Sequence, residues 1–118
     1  MSFLNRPKRA GTTKAKSDRQ ERRLAKELGG RVTPGSGSGS IKGDVTTGEE
    51  MIEAKTTTKR QFTLKLETLQ KLEYEARAVG KRPVLILHID DDSPVLLHHP
   101  EWVLIPKNDY LEMRGHHE

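Results

Sequence analysis

The chain has 118 residues and no cysteine, and 32% of its residues are apolar, 32% are charged and the formal net charge is +4. This length suits a single domain with one modest core, and the lack of cysteine excludes disulfides and thiolate metal sites. No segment approaches the roughly 20 consecutive apolar residues of a membrane span, and no apolar signal-peptide segment follows the basic N-terminus. We therefore expect no membrane contact and a cytoplasmic location.

The positive charge lies mostly in the first part of the chain. Residues 1–43 carry eleven Lys or Arg against three Asp or Glu, whereas residues 44–118 carry ten against fourteen. A basic segment of this kind binds nucleic-acid phosphates through counterion release. We predict a basic, flexible arm over residues 1–16, and for residues 1–12 a solvated tail without a binding role is the alternative. The candidate DNA contacts in this arm are Arg6, Lys8, Arg9 and Lys14.

The first regular element that the sequence predicts is a helix over residues 18–28. Ser17 and Gln20 match a capping box at its start, and apolar residues recur at helical spacing within it. Gly29 and Gly30 form a strong stop signal at its end.

A short strand over residues 31–33 leads into a Gly/Ser loop over residues 34–40. Such a loop has backbone N–H groups that can approach a phosphate closely. An interdomain linker of the same composition is the alternative, which we reject because residues 1–33 are too few and too polar to form a domain. Arg31 is the candidate DNA contact beside this loop.

Two short strands, over residues 44–47 and 51–55, are predicted to pair as an antiparallel hairpin through a glycine-containing turn. This pairing brings Asp44 beside Glu53. Because side chains alternate along a strand, Glu53 and Lys55 lie on the same face. The hairpin thus places two carboxylates and one ammonium group together.

This group of side chains has the composition of a site for a hard divalent cation beside a phosphate. Two carboxylates, Asp44 and Glu53, with the backbone carbonyl of Ala54 and water suit Mg²⁺, and Mn²⁺ is expected to substitute. Such an ion lowers the pKa of a bound water and polarises a phosphoryl oxygen, and Lys55 would orient the water or stabilise the developing charge. The alternative is that all three side chains simply face solvent on an amphipathic hairpin.

The residues that follow this hairpin offer further contacts to DNA. Thr56, Lys59 and Arg60 supply a hydroxyl and two positive charges, which suit phosphate oxygens. The alternative for these residues is the ordinary polar surface of a strand.

The second half of the chain predicts the remaining framework of the domain. It contains a helix over residues 67–79, an apolar strand over 83–89 in the middle of the sheet, a polar turn over 90–92, a hairpin or two edge strands over 95–97 and 101–105, and a helix over 109–113. Trp102 is predicted to be a core or dimer-interface anchor. The two adjacent histidine pairs lack metal-ligand spacing, so no zinc site is expected.

A resemblance to a known family rests on motifs between residues 21 and 55, and it covers roughly residues 17–110. The segment Glu21-Arg22-Arg23-Leu24, the Gly/Ser loop, Asp44 and Glu53-Ala54-Lys55 resemble archaeal-type Holliday junction resolvases and their phage relatives. These proteins belong to the restriction-endonuclease-like superfamily, whose signature is Pro-Asp, a spacer, then Asp or Glu, any residue and Lys. Gly43 stands where the family often has the proline.

The resemblance implies an α/β fold with a mixed central β-sheet flanked by helices, and a single nuclease domain over residues 17–114 with an exposed tail over 115–118. It implies that Glu21 completes the metal site from the first helix, and that Ser36 and Ser38 of the Gly/Ser loop contact the DNA backbone. The implied activity is the resolution of four-way DNA junctions by paired, metal-dependent nicking. The implied assembly is a homodimer without an organic cofactor, in the host cytoplasm if the gene belongs to a phage.

Two other functions stay open at this point. One is a related endonuclease of the same superfamily that cuts other branched DNA or plain duplexes. The other is a basic DNA-binding protein without enzymatic activity, in which the acidic motif is only surface.

Overall fold

The computed structural model describes residues 13–33 and 44–115 of the chain. Within these two ranges the chain forms three helices and five strands. In chain order they are α1 (Thr13–Leu28), β1 (Arg31–Val32), β2 (Val45–Thr46), β3 (Glu50–Thr57), α2 (Leu66–Ala78), β4 (Arg82–Ile89), β5 (Glu101–Leu104) and α3 (Lys107–Met113). None of the helices in these ranges has the length and apolar character needed to cross a membrane.

The five strands form one sheet in the order β1-β2-β3-β4-β5. Strands β3 and β4 are parallel, and the other neighbouring pairs are antiparallel. Helix α2 makes the crossover that a parallel pair requires. This arrangement confirms the predicted α/β fold with a mixed sheet. The predicted central position of the strand over residues 83–89 is wrong by one place, because β1 and β2 both add to the far side of β3 and make β3 the middle strand.

Two apolar clusters lie on opposite faces of the sheet. Leu24 of α1 joins Ile52 and Ala54 of β3 in one cluster. Leu72 of α2 joins Met51 of β3 in the other. Since successive strand residues point to opposite faces, β3 contributes to both clusters, and each large side chain buried there stabilises the fold by about 1.5–3 kcal/mol. The sheet therefore holds α1 and α2 on opposite sides of the same strand.

Helix α1 begins at Thr13, so the predicted start at residue 18 is wrong. The additional turn contains Lys16, which is buried and forms ion pairs with Asp90 at 2.9 Å and Asp92 at 2.5 Å. Both aspartates follow β4 and are distant from Lys16 in the chain, so no local sequence pattern predicts these ion pairs. The predicted arm over residues 1–16 overlaps α1 from Thr13 onwards, and its first twelve residues lie outside the described ranges.

Local sequence signals predict the end of α1 correctly but misplace the beginning of the C-terminal helix by two residues. Gly29 ends α1 with a positive φ of 73°, a conformation that glycine adopts without strain, so the predicted stop is confirmed. Helix α3 begins at Lys107 rather than at residue 109 and has no buried residue.

The segment between β4 and α3 is less regular than predicted. The polar turn over residues 90–92 is present, with the Ser93 N–H donating to the Asp90 carbonyl at 2.9 Å. Residues 95–97 form no strand, so the predicted hairpin is reduced to β5 alone. Trp102 is 55% exposed, which rules out the predicted core position and leaves the interface position open.

Candidate active site

Asp44, the residue before β2, lies beside Ile52 and Ala54, the two residues of β3 that flank Glu53. Val45 pairs with Ile52 and Thr46 with Met51, and the Asp44 N–H donates to the Ile52 carbonyl at 2.9 Å. Glu53 shares the face of Met51, which packs with α2, so its side chain projects on the α2 side of the sheet. Asp44 meets the edge of β3 next to it.

Asp44 lies just before the beginning of β2, where β3 extends past its partner strand. One oxygen of its half-buried carboxylate, Oδ2, accepts a hydrogen bond from the Ala54 N–H at 2.9 Å. Burial, followed by the negative charge of Glu53, raises the pKa of Asp44 to about 6, although the Ala54 N–H bond and Lys55 act in the opposite direction. The carboxylate thus lies in surroundings where a neighbouring positive charge is stabilising.

Glu53 and Lys55 lie beside each other on β3, with 3.3 Å between Lys55 Nζ and Glu53 Oε2. Both side chains are partly exposed. Their closeness follows from strand alternation, as the sequence predicted, because residues two apart share a face. Their chemical role stays a prediction.

Glu21 reaches this region from α1. Burial is the main cause that raises its pKa to about 7, and the charges of Asp44, Asp18 and Glu53 add to the effect. The carboxylates of α1 and of the hairpin therefore interact electrostatically.

Gln20 fixes the position of α1 against β3, and its role was missed in the sequence. Its side chain is only 3% exposed. The Gln20 side-chain amide donates to the Lys55 carbonyl at 3.2 Å and accepts from the Thr56 hydroxyl at 2.7 Å. The assignment to a capping box is wrong, because Gln20 lies in the middle of α1. A signal was present, since Gln20 precedes Leu24 by four residues and so shares its inward face.

Helix α2 adds two charged residues that the sequence did not indicate. Lys71 contributes a positive potential that lowers the pKa of Asp44, though less than the opposing causes raise it. Its ammonium lies 3.6 Å from the carboxylate of Glu75, whose side chain is almost fully buried. The spacing of four residues on a helix was visible in the sequence, but the position of α2 over the hairpin was not.

The residues of this region fit a hard divalent cation in donor type. Asp44 and Glu53 supply carboxylate oxygens, and the Ala54 carbonyl lies on the same edge of β3 as the N–H that Asp44 accepts from, since both groups of a strand residue point the same way. Burial and then the charge of Glu53 raise the pKa of Asp44, and a cation would relieve the repulsion between the two carboxylates. Among residues 13–33 and 44–115, no set of three or more His, Asp or Glu side chains is already arranged to hold a metal.

The predicted DNA contacts are spread over several places. Lys14 lies on α1, with 3.4 Å between its Nζ and Asp18 Oδ2. Arg31 is exposed on β1, and Lys59 and Arg60 are exposed just after β3. Thr56 is half-buried and donates its hydroxyl proton to Gln20. All of these assignments stay predictions. The predicted contacts Arg6, Lys8, Arg9, Ser36 and Ser38 lie outside the described residues.

The sheet order, the two flanking helices and the hairpin define a fold of the restriction-endonuclease-like class. Among solved structures, the chain is similar to Hjc, a Holliday junction resolvase from the archaeal hyperthermophile Archaeoglobus fulgidus. The TM-score is 0.57 and the identity 23%, over 76% of this chain and 75% of that chain. At this identity the likeness establishes the fold. No model of a known protein family matches the sequence, and a comparison with curated proteins gives no significant match.

Proposed function

We propose that the protein is a metal-dependent endodeoxyribonuclease that acts on four-way DNA junctions. The observation that carries the proposal is the hairpin geometry, in which the Asp44 carboxylate accepts from the Ala54 N–H at 2.9 Å and Lys55 lies 3.3 Å from the Glu53 carboxylate. The similarity to Hjc supports the choice of a branched substrate.

Each group of the site has a role in this proposal. Asp44, Glu53 and the Ala54 carbonyl hold Mg²⁺ or Mn²⁺. The bound ion supplies a water of lowered pKa and offsets the charge that develops on the phosphate. Lys55 orients the attacking water or donates to the phosphoryl oxygen. Glu21, whose pKa is raised to about 7, exchanges a proton near neutral pH and so suits proton transfer at the edge of the site.

We also propose a homodimer, because a four-way junction presents two equivalent strands for paired nicking. The surface that suits this assembly is β5 with α3, where Trp102 is 55% exposed, Val103 60% and Met113 73%. Strand β5 is an edge of the sheet, and an exposed apolar edge pairs readily with a second strand. Sedimentation of wild type and of a Val103→Lys variant checks this assembly. A wild-type monomer at micromolar concentration with junction DNA bound would contradict it.

A nicking assay tests the catalytic proposal. The substrates are a synthetic four-way junction and a linear duplex of equal length, each with Mg²⁺ or with EDTA. The proteins are wild type, Glu53→Gln and, as a matched control, Glu73→Gln, which removes an equal charge from an exposed position on α2. We expect Mg²⁺-dependent nicking of the junction by wild type and by the control. Glu53→Gln should lose the activity by orders of magnitude while binding is retained.

The other outcomes separate the remaining functions. Equal cutting of the linear duplex would indicate a related endonuclease with a different substrate. Binding without Mg²⁺-dependent nicking, unchanged in Asp44→Asn and Glu53→Gln, would indicate a DNA-binding protein without enzymatic activity.

A further inference from the structure

Three positively charged residues line the solvent side of α1. Arg19, Arg22 and Lys26 are all exposed, and their spacing of three and four residues puts them on one face of the helix. We refer to these three residues as the α1 stripe. The sequence prediction of DNA contacts did not include them.

The other cations of α1 are neutralised within the protein. Lys16 is held by the two aspartates that follow β4. Arg23 forms ion pairs with Glu101 of β5 and with Glu27, and Lys14 pairs with Asp18. In the described part of the chain, no acidic side chain lies within ion-pair distance of any member of the α1 stripe. Its charges therefore remain available to an external anion.

The α1 stripe borders a groove rather than a flat surface. Arg19 and Arg22 line an open groove of about 390 Å³ between α1 and β4. The rest of its lining is Lys16, Gln20, Arg23, His88 and Asp90, and the Asp90 carboxylate is paired with Lys16. Glu21 lies between the two arginines in sequence, but helical spacing puts it on a different side of α1. The stripe and Glu21 are thus separated by roughly the helix diameter of about 10 Å.

We propose that the α1 stripe binds the phosphodiester backbone of a DNA arm that passes over α1 beside the strand entering the metal site; this rests on the proposed function. Arg19 and Lys26 are seven positions apart, which is about 10.5 Å along a helix. A DNA strand rises about 3.4 Å per nucleotide, so the stripe has the length of about three nucleotides. Guanidinium groups bind phosphate oxygens in a bidentate manner. The contact reads no bases, which suits a protein that recognises the shape of DNA.

The apolar side of α1 excludes a lipid surface as the ligand. A helix that lies on a membrane inserts apolar side chains beneath its basic ones. In α1, Leu24 and Ala25 are buried in the core against the sheet, and the exposed Leu28 lies on the side of the helix opposite the stripe. The stripe itself offers only charges to a ligand, and a polyanion is the ligand that matches them.

The test compares two triple variants with the same loss of charge. The first replaces the stripe by glutamine, as Arg19→Gln, Arg22→Gln and Lys26→Gln. The control replaces three exposed cations elsewhere, as Lys65→Gln, Arg77→Gln and Lys107→Gln. Glutamine is a good helix former, so both variants should keep their helices, which circular dichroism verifies.

The measurement is the affinity for a four-way junction in EDTA at several salt concentrations between about 50 and 200 mM. Each phosphate contact that is lost lowers the slope of log K against log salt by about 0.9. We expect the stripe variant to lose up to about 2.7 in slope and to bind at least about tenfold more weakly at the lowest salt, whereas the control keeps the wild-type values within error. Equal behaviour of the two variants would overturn the inference.

Because no cleavage occurs in EDTA, this result is independent of the catalytic proposal. If wild type fails to nick junctions but the stripe variant shows a weaker salt dependence of binding, the nuclease function is refuted and the binding surface is retained. When nicking does occur, the stripe variant should need a higher protein concentration than wild type to reach half of its maximal cleavage rate, because the loss lies in binding.

Discussion

Replacing Asp44 by asparagine is expected to stabilise the protein when no divalent cation is present. Burial and the charge of Glu53 raise the pKa of the Asp44 carboxyl from 3.8 to about 6, which means that the charged form is unfavourable in the folded protein. Asparagine has almost the same shape and still accepts the hydrogen bond that the Ala54 N–H donates at 2.9 Å. The substitution therefore removes the charge and keeps the contact.

The size of the effect follows from the change in acidity. A pKa that rises from 3.8 to about 6 on folding corresponds to about 3 kcal/mol of destabilisation at high pH. Because the side chain is only half-buried and solvent screens its charge, we expect about 1–2 kcal/mol. The folded protein holds the proton more tightly than the unfolded chain, so wild-type stability falls as the pH rises from about 4 through about 6. The advantage of the variant is small below this window and complete above it.

Urea unfolding in EDTA at about pH 4.5 and about pH 8 measures this difference. Asp91→Asn serves as the control, because it removes an equal charge from an exposed turn. With saturating Mg²⁺ the order should reverse, since an ion that binds the folded wild type stabilises it. The reasoning is refuted if Asp44→Asn is less stable than wild type at the higher pH in EDTA, or if its advantage is the same at both pH values.

Three further substitutions test the framework around the site, each by urea unfolding. Gly30→Ala should lower the free energy of unfolding by about 1–3 kcal/mol, because the added Cβ would lie 2.2 Å from the Thr46 carbonyl oxygen. In the control Gly48→Ala the added Cβ meets nothing within 4 Å, so the change should stay within about 0.5 kcal/mol. Equal losses would contradict the close approach at Gly30. Lys16→Met should cost about 2 kcal/mol, since it leaves two aspartates without their buried partner, and a neutral result would show that this ion pair does not stabilise the helix. Gln20→Ala should cost about 2 kcal/mol by leaving a carbonyl and a hydroxyl of β3 unpaired, and it should also slow nicking; full activity would mean that α1 is positioned by other contacts.

Much of the framework was predictable because its signals are local. The end of α1 at Gly29, the hairpin of β2 and β3, and the run of β4 follow from turn residues and from apolar periodicity within a few residues. The same kind of reasoning placed Glu53 beside Lys55, because side chains two residues apart on a strand always share a face. These features depend on backbone geometry that every extended or helical chain has.

The structural features that the sequence failed to predict depend on contacts between distant segments of the chain. The first turn of α1 is anchored by Lys16 to Asp90, a separation of 74 residues, and Gln20 bonds to the backbone of Lys55 across 35 residues. No periodic pattern contains the identity of such partners. The middle position of β3 likewise follows from the addition of two strands to one of its edges, which is a property of the assembled sheet.

The electrostatics of the site were also decided only by the tertiary structure. The sequence by itself determined which residues are acidic, which strands carry them and which side chains share a face. Packing then determined that burial raises the pKa of both Glu21 and Asp44, with the charge of Asp44 adding to the shift of Glu21 and the charge of Glu53 adding to that of Asp44. The physical reason is that local backbone geometry sets the direction of a side chain, whereas the distance between two charges and their exposure to water depend on which faces meet when the chain folds.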